Sequence, residues 1–328
     1  MKLHDPVAVI EAAYDLTTDT PAWLESVAAA SAFALGSKQG AIAFQYDASS
    51  GTWINVLSAA SHQLGAQFIA QFLDHPNVTP ENARDAAHMF LSNDVGSVRL
   101  AGERVGMSFD GLLRNFGVEE MVGINARDPS GRGCLICVAD RARKLPARSV
   151  AVFRRLGRHI AAAARLRTTL SSGNSELANL VERAEAVLTP KGRIEHAIGK
   201  AQRAAAREAL REALVRIEAA RGCRNSTPER AVDIWRGLVE GRWSILEHFD
   251  RDGKRYFLAH KNEADLARDF ALTPREQQVL AYANMGYSNK LIGYSLGLSR
   301  STVSTLLTRA RRKLGPGASL GMRQIPSE

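Results

Sequence analysis

The sequence predicts an α+β protein, with two α/β segments in series followed by an all-α module at the C-terminal end. Three observations carry that reading. Runs of β-type residues meet in pairs across turn signals, twice within residues 1–170 and twice within residues 179–265. Stretches with helical spacing of apolar residues separate the pairs. From Leu272 to Gly315 the β-type runs stop, and three short helices with start and stop signals take over.

The first segment, residues 1–170, opens with helices expected from Pro6 to Tyr14 and from Pro21 to Leu35. Prolines stand near both starts, and Val7, Ile10 and Ala13, then Trp23, Val27 and Ala30, form apolar stripes. The runs GAIAFQYD and TWINVLSA follow, divided by Asp47-Ala48-Ser49-Ser50-Gly51, which predicts a hairpin. A helix is expected from His62 to Leu73. Between His75 and Phe116 the pattern is weak; a short helix from Glu81 to Leu91, a loop and a second helix are expected. Strands return at EEMVGINARD and CLICVAD around Pro129-Ser130-Gly131. Ala147 to Leu170 then reads as a long amphipathic helix with Val150, Phe153, Leu156, Ile160 and Ala163 along one side. That stripe motivates a homodimer paired through this helix.

Residues 171–178 begin Ser-Ser-Gly-Asn-Ser and are read as a linker. In the second segment, 179–265, AEAVLTPKGRIEHA predicts two short strands around Thr189-Pro190-Lys191-Gly192. A helix from Lys200 to Ala220 carries Ala204, Leu210, Leu214 and Ile217 on one side. WSILEHFD and RYFLAHKN then flank Asp252-Gly253, the strongest hairpin signal in the chain.

The C-terminal module, residues 266–328, is the most punctuated. Thr273, Pro274 and Glu276 supply an N-cap, a proline at the first helical position and a capping-box partner, and Val279, Leu280 and Ala283 give that helix its apolar face. Gly286 is placed to end it. Ser288 can cap a second helix that runs to Leu296. After Gly297-Leu298, Ser299 can cap a third, in which Val303, Leu307, Ala310 and Leu314 share one stripe and Ser301, Thr305, Thr308 and Arg312 the opposite one. Arg300, Arg309, Arg311, Arg312 and Lys313 crowd this third helix, and Glu276 is the single acid between Arg275 and Lys313.

Charge concentrates in the same place. The chain of 328 residues has a net charge of +9, and residues 274–328 hold eight Lys and Arg against two acids, which is six of the nine. A uniformly basic coat is thereby excluded, and one module for a polyanion is implied. Capped helices, a glycine turn and a cationic outer stripe are what a helix-turn-helix needs to enter the major groove of double-stranded DNA.

The runs LTPRE, GYSNKLI, LGLS, TV and RKLG also resemble, at these spacings, the LuxR-type (FixJ/NarL-type) DNA-binding domain of bacterial transcription regulators. The resemblance implies a third helix that reads DNA and a second that crosses above it. By it, Lys290 approaches a phosphate, Thr302 and Ser304 lie at the DNA surface, and Val303 stands at the border of core and groove. Leu291 occupies a position where the family usually carries an acid, Ser304 one where it carries lysine, and Leu306 one where histidine is frequent. Pro316-Gly317-Ala318-Ser319-Leu320-Gly321 replaces the family's fourth, dimerising helix. TVSTLLTRARRKL is similar as well to the terminal promoter-reading region of sigma factors, which would imply RNA polymerase as a partner. Upstream, the order of elements in 1–170 resembles a GAF-type sensor domain, and that in 179–265 resembles a PAS-type module. The first resemblance implies a cup for a small-molecule effector, and the residues themselves leave a dimerisation scaffold with a filled core equally open; the second segment could equally be a domain that only couples the first to the DNA reader.

Other functions find little support. The start MKLHDPVAVIEAAYD has no long apolar run behind its basic residue, and no stretch of about 18 apolar residues appears, so a cytoplasmic protein without membrane contact is expected. Cys134 and Cys137 form a C-x-x-C on a predicted strand, where neighbours three apart face opposite sides; buried thiols are expected there, with redox sensing as the alternative. Neither metal nor cofactor is predicted. His196 and His260 read as hydrogen-bonded structural residues, and Lys261 stands where a calcium loop beginning at Asp250 requires a bidentate acid. No catalytic motif is recognisable, and no enzyme is expected. Three classes of function remain: a regulator whose upstream sensor-like domains control the DNA reader, a sigma-like promoter-recognition protein, and a ligand-binding or interaction protein with a degenerate helix-turn-helix. For a DNA reader the third helix offers hydroxyls and lacks the Asn or Gln that reads adenine bidentately, which leaves Arg300 and Arg312 as direct readers and much of the affinity to phosphates.

Overall fold

Turn signals and strand periodicity build two antiparallel sheets of five strands each, in the same order. The computed structural model describes residues 3–48, 54–73, 95–104, 106–127, 131–140, 145–171, 179–235, 238–239, 243–249, 253–261, 272–284 and 288–314. The chain divides into two compact units, Met1–Asn262 and Glu263–Glu328.

In the first unit, helices α1 (Val7–Tyr14) and α2 (Thr20–Leu35) precede strands β1 (Ala41–Asp47) and β2 (Asn55–His62). Helix α3 (Gly65–Leu73), strand β3 (Val95–Ser97), helices α4 (Val98–Glu103) and α5 (Asp110–Asn115), strands β4 (Glu120–Arg127) and β5 (Arg132–Asp140), and helix α6 (Ala147–Ser171) follow. The sheet order is β2-β1-β5-β4-β3. The hairpins β1–β2 and β4–β5 are the expected ones, whereas the long-range pairing of β1 with β5, from Ala41 opposite Val138 to Asp47 opposite Arg132, closes the sheet. Both faces are buried. Ala41, Ala43, Cys134, Ile136 and Val138 join one core, while Ile42, Phe44, Tyr46, Leu135 and Cys137 join the other, with Phe68 and Phe72 of α3. Cys134 and Cys137 therefore lie on opposite faces of β5, and burial pushes both thiols up.

The second half of this unit contains α7 (Asn179–Glu182), β6 (Ala186–Leu188), β7 (Ile194–Ala197), a 3₁₀ turn at Gly199–Gln202 and α8 (Ala204–Cys223). It ends with α9 (Pro228–Ile234), β8 (Leu238–Val239), β9 (Trp243–Phe249) and β10 (Arg255–Lys261). Its sheet order, β7-β6-β10-β9-β8, repeats that of the first: second, first, fifth, fourth, third. One apolar core runs unbroken from Leu3 through Phe153 and Leu214 to Ala259, so the two sheets share an interior. An ionic net crosses between them as well. Arg221 reaches Glu11 of α1 at 2.7 Å, Glu247 of β9 at 2.5 Å and Glu218 at 3.0 Å; its guanidinium lies 5.6 Å from the Trp235 ring.

Several expectations change. Residues 199–202 form a 3₁₀ turn in place of the expected helix start at Lys200, and Ala204 is exposed at the first position of α8, while Leu210, Leu214 and Ile217 are buried. The stripe of α6 packs within the chain: Phe153, Leu156, Ile160 and Ala163 are buried, Val150 is partly buried, and α6 packs on β4 and α1. His260 is 2% exposed and its Nε2 has no hydrogen-bond partner among the described residues, unlike the bonded histidine expected. Burial, aided by Arg183, lowers its pKa to about 4, so it is neutral near pH 7. His196 is exposed. Strands β3 and β8 and helix α9 were not anticipated. Among the described residues, no helix is long and apolar enough to cross a membrane. The expected helix at 81–91, the turns at 49–51, 129–130 and 250–252, the linker at 172–178, Gly286 and the tail from Gly315 lie outside the described residues.

Candidate nucleic-acid interface

The second unit consists of α10 (Pro274–Asn284), α11 (Asn289–Leu296) and α12 (Arg300–Leu314). Each start is made by its own sequence. At α10 the capping box closes both ways: Glu276 N donates to Thr273 Oγ1 at 3.3 Å, and Thr273 N donates to Glu276 Oε2 at 2.7 Å. At α11, Leu291 N donates to Ser288 Oγ at 3.3 Å, and at α12, Thr302 N donates to Ser299 Oγ at 3.0 Å.

The turn between α11 and α12 depends on two glycines. Gly297 takes the left-handed conformation at φ +63°, which ends α11. One turn earlier, Leu298 N donates to Gly293 O at 2.8 Å. A Cβ at Gly293 would lie 2.6 Å from Leu298 O, so the tight approach requires glycine. Val279, Tyr282, Ile292, Val303, Leu307 and Ala310 are buried beneath the turn and hold α12 by its apolar stripe. Tyr282 escaped the sequence reading, although its spacing of three from Val279 places it on the same face.

With that stripe inside, the opposite face of α12 is outside. Ser301, Thr302, Ser304, Thr305, Thr308, Arg309 and Arg312 are all exposed, as are Arg300 and Lys290. Helical geometry sorts them further. Ser301, Thr305, Thr308 and Arg312, spaced by four, three and four, form one line, and Arg309 flanks it. Arg300 stands seven residues before Leu307 and so shares the angular position of a buried residue, at the border of the stripe. Lys290 projects from α11, whose outer surface also carries exposed Leu291 and Tyr294.

One cation of α12 serves the interior. Lys313 Nζ donates to Glu276 Oε2 at 2.7 Å, tying the last turn of α12 to the capping box of α10. Glu276 is 2% exposed. Burial acts to raise its carboxyl, but Lys313 and the Thr273 backbone and hydroxyl outweigh it and hold the group below the ordinary carboxylate range. The sequence contained the signal for this pair, since Glu276 is the single acid between Arg275 and Lys313 and Lys313 sits where α12 ends.

Residues 271–317 match the bacterial regulatory proteins of the luxR family (GerE). The chain is also 34% identical over 95 residues to the HTH-type transcriptional regulator MalT of Serratia proteamaculans (strain 568), a stretch that is 28% of this chain and 10% of that protein. The C-terminal module is a LuxR-family helix-turn-helix domain, and the chain spans about a tenth of the length of the curated relative it matches.

Proposed function

We propose that this chain is a DNA-binding transcriptional regulator in which α12 enters the major groove of duplex DNA and the α/β unit upstream controls that binding. The observation that carries the reading is the outward line of Ser301, Thr305, Thr308 and Arg312, flanked by Arg309 and held in place by three capped helices in a luxR-family segment. Arg309 and Arg312 take phosphates or guanines, and Lys290 takes a phosphate from α11. The paired hairpins and shared strand order of the two sheets support reading residues 1–170 as GAF-like and 179–265 as PAS-like, with a small-molecule effector as the signal. With the stripe of α6 internal, a homodimer on a two-fold site pairs through other surfaces. The reading assigns the chain no reaction and places it in the cytoplasm, with RNA polymerase as the machinery it influences.

The test is sequencing of genomic fragments retained by the full-length protein, followed by binding isotherms across salt. Log K falls linearly with log salt, and Arg309→Ala with Arg312→Ala flattens the slope by about one unit per phosphate contact removed. Absence of duplex binding at low salt overturns the proposal.

A further inference from the structure

The groove-facing line of α12 is chemically narrower than its hydroxyl-rich sequence implies. Thr305 Oγ1 donates to Ser301 O at 3.0 Å, and Thr308 Oγ1 donates to Ser304 O at 2.9 Å. A hydroxyl has a single proton, so each bond consumes the donor and leaves an acceptor oxygen and a methyl group for a partner. The same bond selects one rotamer of a β-branched side chain, so the methyl is presented in a fixed position. The neighbouring hydroxyls are tied together: Ser299 Oγ lies 2.8 Å from both Ser301 Oγ and Thr302 Oγ1. Along the centre of the line, Thr305 and Thr308 are exposed and donate nothing outward; cationic donors stand at Arg309 beside it and Arg312 at its end.

The major groove gives this surface a preference. An A·T pair presents the thymine methyl and the adenine amino donor, which a methyl and an acceptor oxygen complement. A G·C pair presents, like A·T, two acceptors and one amino donor but no methyl group, so the methyl is the feature that a fixed threonine methyl can tell apart. We propose that Thr305 and Thr308 make α12 a reader of A·T pairs through the 5-methyl group of thymine, with guanine confined to positions reached by Arg309 and Arg312. The inference rests on the reading of the chain as a DNA-binding protein.

Deoxyuridine, which differs from thymidine by that methyl alone, tests it. Duplexes are selected from a random pool with the full-length protein, and the preferred duplex is resynthesised with each thymine replaced singly by deoxyuridine. Loss of about fourfold in affinity, the worth of one buried methyl group, is expected at one or two positions and none elsewhere. Thr305→Ser or Thr308→Ser, which keeps the hydroxyl and removes the methyl, abolishes the difference at its own position. Thr305→Val, which keeps the methyl, preserves it. Duplexes bound equally well with uracil at every position overturn this inference while leaving the protein a DNA binder. Retention of no duplex at all overturns the DNA-binding reading and this inference with it.

Discussion

The two units of this chain are held together by different means. In Met1–Asn262 one apolar core, with Trp23, Phe153, Trp243 and Phe257, passes through both sheets, and a second, with Phe44, covers the other face of the first sheet. The described part of Glu263–Glu328 has Val279, Tyr282, Ile292, Val303, Leu307 and Ala310, three hydroxyl-based caps and one ion pair. Small domains bury a smaller fraction of their surface, so local hydrogen bonds make up a larger share of what keeps them folded. A lesion of fixed size should thus be absorbed upstream and felt as unfolding in the C-terminal unit.

Leu307→Ala breaks that comparison most directly. Removing this buried side chain from α12 costs about 3–4 kcal/mol, a large part of the stability of a domain this small. Hydrogen exchange should show amides of 274–314 losing protection while those of 7–47 and 120–171 keep theirs. Loss of protection in both units together would mean that they fold as one.

His260 probes the larger unit. Its folded pKa of about 4 lies below the value of about 6.5 for an unfolded histidine, so the unfolded chain binds the additional proton between those values. The stabilisation is complete above pH 6.5 and is lost as pH falls towards 4, a change of roughly 3 kcal/mol. His260→Leu removes a group whose Nε2 has no partner among the described residues and should flatten the acid side of the melting profile over that window. Parallel profiles for the variant and the parent protein would show that His260 is not the group responsible.

The same contrast governs what could be read from the sequence. Caps at Thr273, Ser288 and Ser299 and the four hairpins were legible because each signal and the hydrogen bond it makes lie within a few residues. The pairing of β1 with β5 was not, because residues so far apart in the chain meet only through tertiary packing, and no turn marks their register. Strands β3 and β8 are too short to show a period. Helix α9 carried a start signal, Thr227-Pro228-Glu229, much like that of α10, yet Thr227 makes no side-chain cap, and its neighbourhood offered no long stripe to confirm it. At the interface the residue types and their common face were legible. The direction of each hydroxyl was not, since Thr305 and Thr308 can point their protons outward in sequence terms and turn them inward in the fold.

Lys313 gives the smallest and most discriminating change, because sequence counts it with the DNA-facing cations and the structure places it against Glu276. Lys313→Met leaves a nearly buried carboxylate without its partner; the lysine is partly exposed, so the expected loss is about 1–2 kcal/mol, below that for breaking a fully buried pair. The sign with pH follows from the depressed carboxyl. Its contribution is present above the ordinary carboxylate range and is lost as pH falls, so the deficit of the variant is largest near neutrality and shrinks in acid as Glu276 protonates. In DNA titrations the two kinds of cation separate: Lys313→Met should leave the salt slope unchanged while lowering the melting temperature, and Arg309→Ala should do the reverse. A salt slope that falls equally in both variants would place Lys313 on the phosphates and undo the division between the cations that hold α12 and the cations that use it.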